Sequence, residues 1–312
     1  MANAVDSGVQ IDQKSISIVS GLSLLYLILS CLLLGFKSDQ LVLIGIFNVL
    51  FYASVITRKF ILGFSIFIVY WIIFDYMKAF PNYNYNEVAI DGLYNAEKSL
   101  FGIHYNNTIL TPNEYLLLKS NTYTDIFAGV FYLCWIPVPL GFAAYLFFRN
   151  KQQFLYFSLT FVVVNLLGFV IYYTYPAAPP WYVQVHGFNF HPLTPGNTAG
   201  LARFDKFFNV TVFKSIYAKG SNVFAAMPSL HSSYPVIVLY YGIKNRLGAI
   251  NIFFATVTVG IWFTAVYASH HYVLDVLAGI TCASLGILLF NLILSHSAWL
   301  KRSLLNYEKL IQ

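Results

Sequence analysis

Two short stretches of the chain combine side chains able to move protons and attack an electrophile. The first, AAMPSLHSS at 225–233, puts Pro228, Ser229 and His231 at the entrance of an apolar run. The second, YASHHYVLDV at 267–276, carries His270, His271 and Asp275. His271 and Asp275 are four residues apart, so on a helix they share one face. A carboxylate one turn below can accept from one ring nitrogen, which fixes the tautomer and leaves the other nitrogen outward and more basic. Asp275 falls within an apolar segment, where a carboxylate is costly and calls for a partner, and His271 is the nearest. Ser269 is placed to cap the helix that follows.

In the first stretch, Pro228 suits the first turn of a helix, because its missing N–H would have no intrahelical acceptor there. The amides just after it, together with the helix dipole, form a site for an anion. His231 stands in that turn, placed to exchange a proton with a bound group. One oriented histidine and a second beside an anion pocket point to phosphoryl chemistry through a covalent histidine intermediate. Each motif alone has a plainer explanation, a structural hydrogen bond for H-x-x-x-D and chance for P-S-x-H. Their agreement favours chemistry: both fall at predicted helix starts on one membrane face, roughly 40 residues apart. A metal site built from His231, His270, His271 and Asp275 is the other sharp reading. Adjacent helical residues diverge by about 100°, so His270 and His271 do not readily serve one ion, and no metal or cofactor is assigned.

These residues need elements to hold them. Hydrophobic residues make up 58% of the 312 and charged residues 10%, where soluble domains carry about a quarter charged. Apolar windows of roughly 20 residues recur, each long enough to cross a bilayer as a helix. The chain therefore reads as all-α, a polytopic membrane helix bundle of about eight spans: 16–36, 40–57, 60–79, 124–148, 153–175, 226–243, 249–268 and 271–294. Residues 1–15 are polar and the first apolar run is long enough to be retained, so no cleavable leader is expected. Two long connections remain, 80–123 and 176–225. The first reads as a loop followed by a short amphipathic helix, the second as Pro-, Gly- and Asn-rich with few helical signals.

The net charge of +6 comes from Lys and Arg at the ends of apolar runs rather than from a basic stripe, which argues against a nucleic-acid partner. Cys31, Cys134 and Cys282 all lie in apolar runs and suggest neither a disulfide framework nor a zinc site. Arg58 and Lys59, Arg149 and Lys151, Lys244 and Arg246, and Lys301 and Arg302 fall on one face of an eight-span bundle. The positive-inside rule makes that face cytoplasmic. Both long connections and all three motif histidines then lie on the opposite face.

YPAAPPWY (175–182), PGNTAGLARFD (195–205), AAMPSLHSS (225–233) and YASHHYVLDV (267–276), in this order, resemble the type-2 phosphatidic acid phosphatase superfamily. Its members cleave phosphoesters without metal on a six-helix core. The likeness is greatest to its branch of aureobasidin-sensitive inositol phosphorylceramide synthases. It covers roughly residues 150–295 and, more loosely, reaches back to about 70. The expected organisation is a transmembrane hairpin over 1–60 followed by the core over 61–312. The resemblance implies that His271 attacks the phosphorus of phosphatidylinositol, that Asp275 orients it, and that His231 acts as general acid and then base. A ceramide or dihydroceramide hydroxyl then takes the phosphoinositol and diacylglycerol is released. The expected membrane is a bacterial inner membrane, or a Golgi-type membrane in a eukaryote. An accessory subunit is neither implied nor excluded.

The chain departs from the broader superfamily at two cations. Ala178 precedes Pro179 where an Arg is usual, and Ala265 stands six residues before His271 where another Arg is usual. A monoester needs those charges more than a singly charged diester does, so the departure suits a diester substrate. Another cation is expected to serve the transition state. Arg203 is favoured, with Lys206, Lys214 and Lys219 in the same connection and Lys78 beside Asp75 at the end of the third span. Ser229 and His270 complete the expected phosphate and headgroup set, and Trp181 and Tyr182 are expected against lipid. Two other readings remain: a metal-independent lipid phosphate phosphatase, and a lipid or proton transporter. The transporter reading predicts polar residues at mid-membrane and internal repeats, whereas here the histidines cluster at helix ends.

Overall fold

The computed structural model describes residues 12–220 and 222–312. Most of the polar stretch read as lacking a leader, residues 1–11, lies outside them. Contacts divide the chain into two units, one holding the described residues up to Ala79 with Arg302–Gln312, the other Phe80–Lys301. The division falls one helix later than the boundary at 60 drawn from the sequence.

The first unit contains α1 (Gln13–Leu34), α2 (Ser38–Ala53) and α3 (Val55–Tyr76). Asp12 caps α1 by accepting from the Ser15 amide. A single extended residue, Ser54, separates α2 from α3 and caps the latter through the Thr57 amide. Near the chain's end Tyr307 donates to the Leu62 carbonyl at 2.6 Å.

The second unit begins with α4 (Asp91–Phe101), the hairpin β1 (Ile103–Tyr105) and β2 (Thr108–Leu110), and α5 (Pro112–Leu118). Then come α6 (Thr122–Leu133), α7 (Pro137–Arg149), α8 (Lys151–Thr174), α9 (Pro180–His186), α10 (Ala202–Phe208) and α11 (Val212–Ala218). α12 (Leu230–Lys244), α13 (Ile250–Tyr267) and α14 (Val273–His296) complete it, and α15 (Ala298–Ile311) runs from it towards the C-terminus.

All eight segments expected to span the membrane are helical. Among the described residues six are long and apolar enough to cross by themselves: α1, α3 with the turn after it, the α6–α7 pair, α8, α13 and α14. The other two are shorter, 16 residues in α2 and 15 in α12. The fourth span is broken: α6 ends at Leu133 and α7 starts afresh with Pro137 at its first turn, where a missing N–H costs nothing. Polar pairs cross-link the packed helices. Thr160 and Tyr241 share a hydrogen bond of 2.7 Å, and Tyr234 donates to Asn165 at 2.8 Å.

The connections hold more structure than their composition suggests. The second contains three helices of seven residues each, α9, α10 and α11. Each is too short for apolar periodicity to register and is fixed by local chemistry instead. Pro180 opens α9, Asn209 closes α10 in a left-handed conformation (φ 52°), and the Asp205 carboxylate accepts from the Phe213 and Lys214 amides at the start of α11. Backbone bridges join Ala89 to Ala177 and Ala177 to Ala225, tying both connections to the approach to α12.

Candidate active site

His231 is placed by the start of α12. Ser229 is the N-cap, and its hydroxyl accepts from the Ser232 amide at 3.3 Å. Pro228, expected inside the first turn, lies one residue before the cap, joined to Met227 by a cis peptide. The start of α12 is fastened to α14: the Ser229 amide donates to the Asp275 carbonyl at 2.9 Å, and Ser233 Oγ to the Gly279 carbonyl at 2.7 Å. A Cβ on Gly279 would collide with the Ser229 carbonyl, so glycine is what lets the two backbones approach.

His271 lies in the turn Ala268–Tyr272 between α13 and α14, outside both spans. The amides of His270 and His271 both donate to the Ala265 carbonyl, at 3.1 and 2.9 Å, and Ser269 takes φ 58°. Two expectations change here. Ser269 does not cap the helix; its hydroxyl accepts from Gln184 at 3.1 Å. The helix begins later, with Tyr272 as N-cap and the Asp275 carboxylate accepting from the Tyr272 amide at 2.8 Å. His271 therefore precedes the helix instead of sharing a helical face with Asp275.

The tautomer follows from the contacts. His271 Nδ1 is 2.9 Å from the Ala226 carbonyl and 3.6 Å from Asp275 Oδ2. A carbonyl only accepts, so Nδ1 carries the hydrogen and Nε2 keeps a lone pair. The expected acceptor, Asp275, is thus the more distant one. Its carboxylate is committed to the helix cap, and the Ala226 carbonyl fills the nearer position. That carbonyl is held by the bridges described above, with the Ala226 amide donating to Ala177 at 3.2 Å. His271 Nε2 lies 3.3 Å from His231 Nδ1, so in this state Nδ1 of His231 carries the shared hydrogen. Tyr132 Oη is 3.2 Å from the same nitrogen and accepts from Tyr217 at 3.3 Å. Trp135 packs edge-on against the His231 ring at 4.3 Å. Burial pushes the His271 imidazole down to about 4, with the Ala226 hydrogen bond acting the other way.

Glu97 and Asn113, which the sequence did not single out, support this turn from the first connection. Glu97, fully buried, accepts from the Val273 and Leu274 amides at 2.9 and 3.1 Å. Burial raises its carboxyl above the usual range, and these two amides oppose that. Asn113 donates to the carbonyls of Val266 (2.7 Å) and His271 (2.9 Å). The only trace in the sequence is the Thr111–Glu114 capping box that positions Asn113.

The remaining expected residues take other places. Arg203, favoured as the phosphate cation, donates to Asp125 at 2.6 Å and lies over the Tyr267 ring at 5.3 Å; its charge is matched by that carboxylate. His270, expected to bind phosphate or headgroup, stacks on Tyr217 at 4.4 Å, with Nε2 3.0 Å from the Thr198 carbonyl. Ser229 serves as the cap. Trp181 and Tyr182, expected against lipid, are buried in a cluster with Ile90, Ala178 and Phe224, and the Tyr182 hydroxyl donates to the Asn189 carbonyl at 2.7 Å. Aromatic rings beside two prolines complete the packing of α9. Lys219 follows α11. Asp75 and Lys78 belong to the first unit, where they form an ion pair with each other. Among the described residues no group of three or more His, Cys, Asp or Glu side chains is arranged to hold a metal ion.

Apolar helices that bring two histidines and a carboxylate together at their ends define a multi-pass membrane protein with a polar site at the helix termini. The chain belongs to the PAP2 superfamily, which residues 107–289 match. It is 47% identical over 270 residues to a phosphoinositol dihydroceramide synthase of Bacteroides thetaiotaomicron, covering 86% of this chain and 88% of that protein. It is 30% identical over 174 residues to an inositol phosphorylceramide synthase of Candida albicans, 51% of this chain and 36% of that one. Against the inositol phosphorylceramide synthase catalytic subunit AUR1 of Saccharomyces cerevisiae the identity is 27% over 248 residues, 75% of this chain and 59% of that subunit. No solved structure matches the chain.

Proposed function

We propose that this protein transfers phosphoinositol from phosphatidylinositol to the primary hydroxyl of ceramide or dihydroceramide, releasing diacylglycerol. The observation that carries the mechanism is the 3.3 Å approach of His271 Nε2 to His231 Nδ1, with His271 Nδ1 held on a carbonyl. The relatives, a phosphoinositol dihydroceramide synthase and inositol phosphorylceramide synthases, support the transferred phosphoinositol group and a ceramide-type acceptor.

In this reading the diester enters between the two rings. His271 Nε2 attacks phosphorus, forming a P–N bond as the P–O bond to diacylglycerol breaks. The anionic diester favours the imidazolium form of His231, which gives its proton to the departing oxygen and returns to neutral. The phosphorylated His271 ring, still carrying hydrogen on Nδ1, is cationic, and Asp275 at 3.6 Å offsets that charge. The ceramide hydroxyl then attacks, His231 takes its proton, and the P–N bond breaks. Two in-line displacements retain configuration at phosphorus.

Orientation follows from helix direction. The histidines sit at the N-terminal ends of α12 and α14, the latter beside the C-terminal end of α13. Lys244 closes the other end of α12 and Arg246 follows it, and Lys301 follows the other end of α14. By the positive-inside rule the site faces away from the cytoplasm, in a bacterial inner membrane by analogy with the Bacteroides relative.

The test uses purified protein in liposomes with phosphatidylinositol and fluorescent ceramide. A new charged fluorescent lipid that depends on His271 supports the transferase. Release of inositol phosphate into water without acceptor would replace it with a hydrolase.

A further inference from the structure

The PGNTAGLARFD segment is not used by the chemistry at His231 and His271, yet it walls a cavity of about 670 Å³ together with α11. Pockets that hold small ligands run from about 300 to 1,000 Å³. Two residues on the wall connect it to the histidines. The Thr198 carbonyl meets His270 Nε2 at 3.0 Å. Tyr217 stacks on His270 and donates to Tyr132, which touches His231 Nδ1. Thr198 and Tyr217 thus belong both to the cavity wall and to the contacts of the ring layer that flanks the reacting nitrogens.

The chemistry of the wall is selective. Asn197 Oδ1 accepts from the Ala199 amide at 2.7 Å, and Asn222 Oδ1 accepts from the Phe224 amide at 3.0 Å. With the oxygens so fixed, each side chain presents its NH2 group as the free end. Lys214 supplies an ammonium, and Thr198 a hydroxyl. Asp205, the acidic residue on the wall, commits both oxygens to the Phe213 and Lys214 amides. What remains is a set of hydrogen-bond donors with one cation. A headgroup made of hydroxyls and phosphate can accept from each of them. A quaternary or primary ammonium headgroup would meet donors and a like charge.

The geometry points to this cavity as the subsite for the donor's polyhydroxylated, phosphate-linked headgroup, held by Asn197, Thr198, Lys214 and Asn222. The assignment rests on the phosphoinositol-transfer reading and adds to it the residues that select the donor.

The experiment measures donor KM for phosphatidylinositol, acceptor KM for ceramide and competition by free inositol 1-phosphate. It compares the wild type with Asn197→Asp, Asn222→Asp and Lys214→Gln. The Asp variants keep the oxygen that accepts from the backbone, so the turns are preserved, while the donor NH2 becomes an acceptor carrying a negative charge that opposes an anionic headgroup. Each substitution is expected to raise donor KM about tenfold, the loss of one hydrogen bond to a charged or polyhydroxyl group. It should weaken inositol 1-phosphate competition in parallel, with acceptor KM unmoved. Donor KM unchanged in all three variants, with wild-type transfer intact, would overturn the subsite and leave the reaction standing. A wild type that makes no inositol phosphorylceramide from phosphatidylinositol would overturn both.

Discussion

The nearer acceptor of His271 Nδ1–H is the backbone carbonyl of Ala226, at 2.9 Å, and Asp275 stands behind it at 3.6 Å. A carbonyl fixes the tautomer but cannot answer the positive charge that grows on the ring when Nε2 is phosphorylated. In the proposed mechanism that duty falls to Asp275. Asp275→Asn retains an oxygen to accept from the Tyr272 amide, so the helix cap survives while the charge is lost. We expect kcat to fall about a hundredfold or more, with thermal stability close to wild type; equal loss of both would mean that Asp275 is only a cap. In the proposed mechanism the free base of His271 is the reactive form, and burial lowers its pKa to about 4. A lowered histidine stays unprotonated through neutrality and gains its proton only as pH falls through the lowered value. The acid limb of kcat/KM, which reports the free protein, should therefore lie below the ordinary histidine range. A limb at the usual value for histidine would contradict the burial argument.

At the level of elements, the two helix starts proposed to carry the chemistry are fixed by partners far away in sequence. Glu97 in α4 covers two amides at the start of α14, across 176 and 177 positions. Asn113 reaches the His271 carbonyl across 158. Glu97→Ala leaves those amides without an acceptor in a buried place, a cost of about 1–3 kcal/mol. It should lower the melting temperature and kcat together, and Glu97→Gln, which keeps one acceptor, should recover part of both. If Glu97→Gln were no better than Glu97→Ala, the charge rather than the hydrogen bonds would be what matters. These partnerships explain which parts of the site the sequence made legible. The histidines and Asp275 announce themselves by residue type at helical spacing in apolar surroundings. Ala226 acts through its carbonyl, which residue type does not reveal. Arg203 reads as a free cation until Asp125, 78 positions away, is seen to hold it. The apolar helices were legible because twenty apolar residues in water have few alternatives; the seven-residue helices α9, α10 and α11 depend on caps and prolines that composition reads as loop.

For the whole molecule the account is one of sidedness. Within the second unit, Arg149 and Lys151, Lys244 and Arg246, and Lys301 lie at the helix ends away from the histidines, so labelling should divide this unit cleanly. A cysteine placed at the exposed Thr108 in the hairpin is expected to react with a membrane-impermeant thiol reagent from outside. One placed at the exposed Lys301 should react only after permeabilisation. The reverse pattern would put the site on the cytoplasmic face.

The central claim is that the phosphoinositol group passes through His271. The most direct measurement incubates the protein with phosphatidylinositol in the absence of ceramide, quenches under alkaline conditions that preserve phosphoramidates, and maps the mass of the peptide containing residues 268–275. The account predicts an inositol-phosphate adduct on His271 that disappears when ceramide is added. A protein competent for transfer that carries no adduct there, or carries it on His231 or another residue, would contradict the account.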